Sequence, residues 1–321
     1  MKLLEATTEN INSAVQVLKD GGLVAFPTET VYGIGANGFD PIAVAKIFEV
    51  KKRPAFNPLI LHISSIEMLD KIAEYSNSKI KFLIDKFWPG PLTLILPKKE
   101  IVPYIVTSGL ETVAVRMPNN KVALELISKL GKPIAAPSAN SFSRLSPTKA
   151  EHVVNQLGEN IDIILDGGNC QVGVESTIIE ILEDKQLILR PGGIPTEEIE
   201  KAIGKLSGCE NVINPNSPGQ LQIHYAPKIP IKFYSESELE TNKNKKIGVI
   251  FFNESKFENH FDVIKILSKT GDLREAASKL FAFLHELENL NLDLILVEPV
   301  EKSNLGIAIM DRLTKAVNKY L

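Results

Sequence analysis

P-T-E-T-V-Y-G-I-G-A-N-G-F-D-P at residues 27–41 and K-K-R-P-A-F-N at 51–57 bring a polar turn, a glycine-rich turn and a basic cluster into one short window. That density of site chemistry points first to a ligand carrying phosphate, because Lys and Arg supply charge and polar turns supply donors. Upstream, Ile11, Val15 and Leu18 recur near helical spacing and stop at Gly21-Gly22, so residues 9–20 read as a helix and Leu23–Phe26 as the next strand. Downstream, Asp40 caps a helix that begins at Pro41 and delivers Lys51, Lys52 and Arg53 to its C-terminal end, where Pro54 stops it. Gly33–Gly38 spells G-x-G-x-x-G, the form of a dinucleotide-binding turn. Here P-T-E-T-V-Y separates it from the preceding strand, and the next strand ends without an acidic residue. A compact turn is therefore the stronger reading, and a nicotinamide-dependent oxidoreductase the weaker. No G-x-x-x-x-G-K-[ST] occurs.

Further along, Leu59–Ile63 reads as a buried strand, and Ser64 with Glu67 as a capping box. W-P-G-P at 88–91 turns into a strand at Leu92–Leu96. Thr112–Arg116 alternates, placing Thr112, Ala114 and Arg116 on one face. Lys121–Leu130 reads as a helix stopped by Gly131, and Thr148 with Glu151 as a second capping box. Strands follow at Ile161–Leu165, Thr177–Leu182 and Leu187–Arg190, completing an α/β domain with a twisted mixed sheet. From Gly204 to Pro230 the pattern dissolves into a segment too long for an ordinary loop, which predicts an inter-domain or functional linker. Beyond it, strands at Ile231–Tyr234, Lys246–Phe252 and Leu294–Val297, a helix striped by Ala276, Leu280, Leu284 and Leu287, and a closing helix over Met310–Tyr320 predict a smaller α/β domain.

The bulk properties agree with two domains in 321 residues. The net charge is -3 and acidic side chains outnumber basic ones in both halves, so strong nucleic-acid binding lacks its electrostatic footprint. Cys170 and Cys209 are far apart and form no C-x-x-C, which argues against a zinc site or a disulfide framework. No apolar run approaches a membrane span and the first residues do not read as a signal peptide, so a cytoplasmic protein is expected. Lys51, Arg53, His62, Arg116 and Arg190 all fall near loop positions at the rim of one sheet, where together they suit a triphosphate. Ser138, Asn140 and Ser146 crowd one loop and can donate to phosphate or ribose oxygens. Ser176 lacks a G-x-S-x-G elbow and is not expected to be a nucleophile. His152, His260 and His285 read as surface residues, whereas His224-Tyr225 stands in the linker with no core to fill.

P-T-E-T-V-Y-G, K-x-R with N-P-L-I, W-P-G-P-L-T, T-V-A-V-R-M-P, A-A-P-S-A-N, S-P-T, G-V-E-S-T-I, L-R-P-G and H-Y-A-P together resemble the YrdC-like threonylcarbamoyl-AMP synthase family, in its two-domain form. The likeness is dense over residues 1–230, and G-I-A-I-M-D-R-L-T-K-A at 306–316 is similar to that form's C-terminal signature. The resemblance implies a YrdC-like domain with an open cleft at 1–205, a linker at 206–230 covering that cleft, and a Rossmann-like domain at 231–321. It implies synthesis of threonylcarbamoyl-AMP and pyrophosphate from L-threonine, bicarbonate or CO2, and ATP with Mg2+. A separate transferase complex would then modify tRNA. It places Lys51, Arg53, Asn57, Thr112, Ser138, Asn140, Ser146, Arg190 and Tyr225 on the ATP side, with Lys51 and Arg53 the catalytic pair. Thr28, Tyr32, His62, Arg116, Ala136 and Ser176 fall on the threonine side, and the metal is expected to ride on ATP. The fold has also been associated with double-stranded RNA binding, a reading the acidic balance disfavours.

Overall fold

The strand Ile60–His62 lies near the middle of an 11-stranded mixed sheet. In spatial order the sheet runs Lys2–Glu5, Ile163–Asp166, Val24–Phe26, Gly33–Asn37, Ile134–Ala135, Ile60–His62, Thr112–Arg116, Leu92–Pro97, Thr177–Ile181, Gln186–Arg190 and Ser207–Gly208. The computed structural model describes residues 1–208, 217–219, 221–255 and 260–321; Cys209 and the middle of the connecting segment lie outside the described residues. Ile60–His62 pairs in parallel with Thr112–Arg116, so His62 faces Arg116 across the ladder. Alternation then sorts the faces. Val113 and Val115 enter the main core with Leu61 and Leu94, while Ala114 joins Ile60, Ile95, Ile178 and Leu189 on the opposite face. Ile60 of that second apolar patch lines the cavity described below.

The glycines at 33–38 are not a compact turn. Gly33–Asn37 is a strand, antiparallel to Val24–Phe26. A β-carbon on Gly35 would lie 2.5 Å from Ile134 Cγ2 and 2.7 Å from Phe26 Cε1, so neighbouring side chains occupy the space a larger residue would need. The dinucleotide reading fails with it, since that motif requires its glycines at a strand-to-helix turn. Both capping boxes also fail. The helix Ile66–Ile72 is capped by Ser65 without a side-chain bond, and the helix Ala150–Leu157 starts after Lys149. Thr148 instead donates its backbone N–H to His152 Nδ1 at 3.2 Å.

The second sheet is fully parallel, in the order Ile231–Phe233, Leu294–Val297, Ile247–Phe251, Val263–Ile266. The last strand escaped the sequence reading because its V-I-K-I residues are only half-buried at an edge. Helices Leu273–Glu288 and Leu305–Val317 pack this sheet against the first domain. Leu145, Val174 and Tyr225 belong to the same apolar cluster as Leu280, Phe281 and Leu284, so the second core is completed by the first domain and the linker. His152 and His285 are not surface residues: their rings stack across this interface at 3.9 Å, both buried. Contacts between domains leave no trace in the periodicity of either helix alone.

Candidate active site

Two buried cations, Arg53 and Arg190, line one end of the cleft, and a third, Lys51, is buried beside Arg53 and outside the cavity lining. The helix Pro41–Lys51 ends at Lys52, whose φ of 53° is left-handed and turns Arg53 back toward the helix. Lys51 is 2% exposed, and its Nζ donates to the carbonyls of Ser138, at 2.6 Å, and Asn140. Arg53 donates through Nε to the Asn57 carbonyl at 3.0 Å, and through its NH2 group to Asn57 Oδ1 at 2.7 Å and the Pro58 carbonyl at 2.8 Å. Arg190 donates to the Ser176 carbonyl and hydroxyl, each at 3.0 Å, and to the Pro218 carbonyl at 3.4 Å. Among the described residues none of the three has a carboxylate in ion-pair range. Burial and then the neighbouring Arg53 press the Lys51 ammonium well below the usual lysine range, and burial also lowers Arg53 and Arg190. The sequence placed Lys51 and Arg53 at a loop rim; the linker and the 138–142 loop cover them instead.

The opposite end of the cleft is built on P-T-E-T-V-Y. Thr28 Oγ1 accepts from the backbone of Thr30 and Val31, closing a tight polar turn. Tyr32 OH donates to the Gly168 carbonyl at 2.8 Å, and burial raises its pKa. Arg116 forms a buried ion pair with Glu29 at 2.7 Å, donates to Thr30 Oγ1 at 2.9 Å and reaches the Gly90 carbonyl at 3.3 Å. Hydrogen bonds engage Nε and one N–H of NH1, whereas the ion-paired NH2 makes none among the described residues, which leaves N–H groups for a ligand. His62 is buried with, among the described residues, no hydrogen-bond partner on Nδ1, and burial followed by the charge of Arg116 holds its pKa down to about 3, so the ring is neutral. Ser176 hydroxyl shares a hydrogen bond with Thr93 at 2.7 Å.

Described residues of the linker roof both ends. Pro218, Gly219, His224 and Tyr225 line a cavity with Thr28, Tyr32, Arg53, His62, Arg116, Ala136, Ser138, Ser176 and Arg190. Its volume is about 50 Å³, room for a water or two and not for a nucleotide. Tyr225 sits at φ 62° and is 2% exposed, a left-handed backbone that only strong surroundings hold in place. Gly219 sits at φ +87°, and a β-carbon there would come within 2.7 Å of Arg190 Cδ and 2.9 Å of Tyr225 OH.

The remaining expected residues act at one remove. Asn57 faces Arg53, and Asn140 gives its carbonyl to Lys51 while its Nδ2 donates to the Ser141 and Arg144 carbonyls. Ser146 donates to Glu175. Thr112 shares the face of Ala114 and Arg116, but it is half-buried and outside the cavity lining. Glu29, Glu175 and Arg312 were missed, although each stands inside a quoted motif. For Glu29 and Glu175 the available signal was an acid within an otherwise uncharged motif; Arg312 carried none.

Three buried imidazoles make the fold acid-sensitive. Burial holds His62, His152 and His224 down to about 3 each. Unfolded, each titrates near 6.5, so between the two values the unfolded chain binds more protons and stability is lost as pH falls. By pH 5 each imidazole removes on the order of 2 kcal/mol. The thermal midpoint should therefore drop between pH 6.5 and 5, and His152→Asn should flatten that slope. A midpoint insensitive to pH across this range would show that the rings charge within the fold.

Two sequence families divide the chain. One described as telomere recombination (Sua5, YciO and YrdC) matches residues 16–192, and one described as threonylcarbamoyl-AMP synthase, C-terminal domain, matches residues 194–317. Threonylcarbamoyl-AMP synthase of Pyrococcus abyssi is 43% identical over 323 residues, covering 95% of this chain and 93% of that protein. The Bacillus subtilis protein of the same name is 40% identical over 326 residues, covering 98% and 94%. The crystal structure of P. abyssi Sua5 complexed with L-threonine superposes with a TM-score of 0.91 at 41% identity, covering 99% of this chain and 98% of that one. The chain belongs to the two-domain threonylcarbamoyl-AMP synthase family. Among the described residues no helix is long and apolar enough to cross a membrane.

Proposed function

We propose that this protein is a nucleotidyltransferase that makes L-threonylcarbamoyl-AMP from L-threonine, bicarbonate or CO2, and ATP, releasing pyrophosphate as the first step of tRNA threonylcarbamoyladenosine formation. The observation that carries the reading is one cleft with two unlike ends. Unpaired buried cations suit a triphosphate, and a polar turn with Arg116 and a neutral imidazole suits an amino acid. P. abyssi Sua5, similar over nearly its whole length, has been crystallised with L-threonine.

In this reading the N–H groups of Arg116 not used in hydrogen bonds take the threonine carboxylate, while Thr28, Tyr32, Ala136 and Ser176 frame the side chain and amine. His62 is neutral and offers Nδ1 as a hydrogen-bond acceptor to the threonine amine, whose proton passes to solvent as the carbamate forms. The carbamate oxygen attacks the α-phosphorus in line, and pyrophosphate leaves. Positioning and charge neutralisation do most of the work in such a transfer. Lys51, Arg53 and Arg190 hold the phosphates, with Ser138 and Asn140 fixing Lys51 and Asn57 fixing Arg53. Thr112 meets the nucleotide only once the linker lifts. Mg2+ is taken to arrive bound to ATP. We place the domain boundaries at 1–205, 206–230 and 231–321, the site of action in the cytoplasm, and a separate transferase complex as the consumer of the product.

Pyrophosphate release measured with threonine and bicarbonate each omitted tests the reaction; release must require both. Release with threonine alone, CO2 excluded, would indicate ordinary amino-acid activation, and no release at all would revive the RNA-binding reading. The linker must open to admit ATP and close again under Tyr225. Gly219→Ala is expected to cost the closed linker about 1 kcal/mol or more and to lower turnover at saturating substrates. Unchanged turnover would mean that the closed linker is not the reacting state.

A further inference from the structure

Arg312 is the largest fully buried side chain among the described residues, and it belongs to the second domain. It leaves the helix Leu305–Val317 and enters the first domain, where its Nε donates to Glu175 Oε2 at 2.7 Å. The NH1 group reaches the Pro191 carbonyl at 3.0 Å and Asp311 Oδ2 at 2.6 Å, and the guanidinium lies 5.0 Å from the centre of the Tyr225 ring. Glu175 is 5% exposed and lines the cavity, and its other oxygen accepts from Ser146. Immediately beside it, Arg190 donates to both the carbonyl and the hydroxyl of Ser176. Burial opposes the Glu175 charge, but Arg312 and Arg190 outweigh it and hold the carboxyl down to about 2. A buried carboxylate therefore stands between two arginines, and only one of them forms its ion pair.

We propose that Arg312 is a positioning residue for the nucleotide end: by pairing with Glu175 it keeps that carboxylate off Arg190 and leaves the Arg190 guanidinium to the phosphates. This rests on the nucleotidyltransferase reading above. Without Arg312, Glu175 is a lone buried charge with Arg190 as the nearest cation, whereas Asp311 retains Lys315 at 2.6 Å. The pull on Arg190 draws it out of the phosphate site. The same side chain presents its cationic face to Tyr225, and the residues after it grip the linker. Lys315 donates to the Gly219 carbonyl at 2.7 Å, Asn318 to that of Gln222 at 3.1 Å and Tyr320 to that of Pro227 at 2.7 Å. The second domain thereby sets both the charge of the nucleotide end and the seat of its roof.

The test uses the full chain and reads KM for ATP and for threonine separately, from pyrophosphate release. Arg312→Gln should raise KM for ATP about tenfold or more while moving KM for threonine much less. Adding Glu175→Gln should recover most of the loss, because no carboxylate is then left to capture Arg190. A double variant as impaired as Arg312→Gln alone, or a parallel rise in both KM values, would overturn the proposal and leave Arg312 a packing residue. Should Arg312→Gln fail to fold, Arg312→Lys keeps a charge against Glu175 and is expected to stay near the wild-type KM for ATP; a tenfold rise there would count against it. Wild-type protein that releases no pyrophosphate would instead refute the underlying reaction, a separate outcome.

Discussion

Lys51→Met is expected to abolish pyrophosphate release, by a factor of about 10³ or more, without lowering the thermal midpoint. The two effects have one cause. Lys51 is a buried ammonium with two carbonyl acceptors and, among the described residues, no carboxylate in ion-pair range. Its folded pKa lies below its unfolded one, so at neutral pH the charge costs stability, a cost relieved only as pH rises toward the unfolded value. Methionine keeps the stem in its slot and removes the charge. The Ser138 carbonyl still accepts from the Asn140 backbone at 3.0 Å, which limits the loss. What disappears is the pre-placed cation, which becomes favourable only when phosphate arrives. Arg53→Ala should lose activity for the same reason. Assays of pyrophosphate release and thermal unfolding on the same preparation decide the matter. Activity within tenfold of wild type would remove Lys51 from the phosphate site, and a large fall in midpoint would make it a packing residue.

How much of this was legible beforehand depends on the range of the interaction. The helix at Pro41–Lys51 carries its own signals, Asp40 at the cap and Pro41 at the first turn, and it forms as read. So does Lys121–Leu130, which stops at Gly131 in the left-handed region. The strand Thr112–Arg116 announces itself by alternation, and the order of motifs gave the family. What stayed hidden depends on residues distant in sequence. Gly33–Asn37 looked like a turn because glycines usually mark turns, and only the side chains of Phe26 and Ile134 explain why a strand needs them. The burial of Lys51 and Arg53 requires the linker, and the stacking of His152 on His285 requires the second domain. The pairing of Glu175 with Arg312 joins residues 137 apart, beyond the reach of any local pattern.

Arg116→Gln should behave oppositely to Lys51→Met in stability while matching it in activity. Arg116 is as buried as Lys51, but it has a carboxylate partner in Glu29 at 2.7 Å. Removing the arginine strands Glu29 inside the protein, which costs about 3–5 kcal/mol. The threonine carboxylate loses its charged partner as well, so kcat/KM for threonine should fall about 10²–10³-fold while ATP binding changes little. Combining Arg116→Gln with Glu29→Gln separates the two roles. With both charges gone the buried pair becomes neutral, and the thermal midpoint should return most of the way to wild type. Activity should not return, because nothing then meets the substrate carboxylate. If the double variant regained threonine-dependent release, Arg116 would be serving only to neutralise Glu29, and the carboxylate would have to bind elsewhere in the cleft. The contrast turns on pairing alone: a buried cation without a partner is held in the fold at a cost and used by the ligand, whereas one with a partner supports the fold and the ligand together.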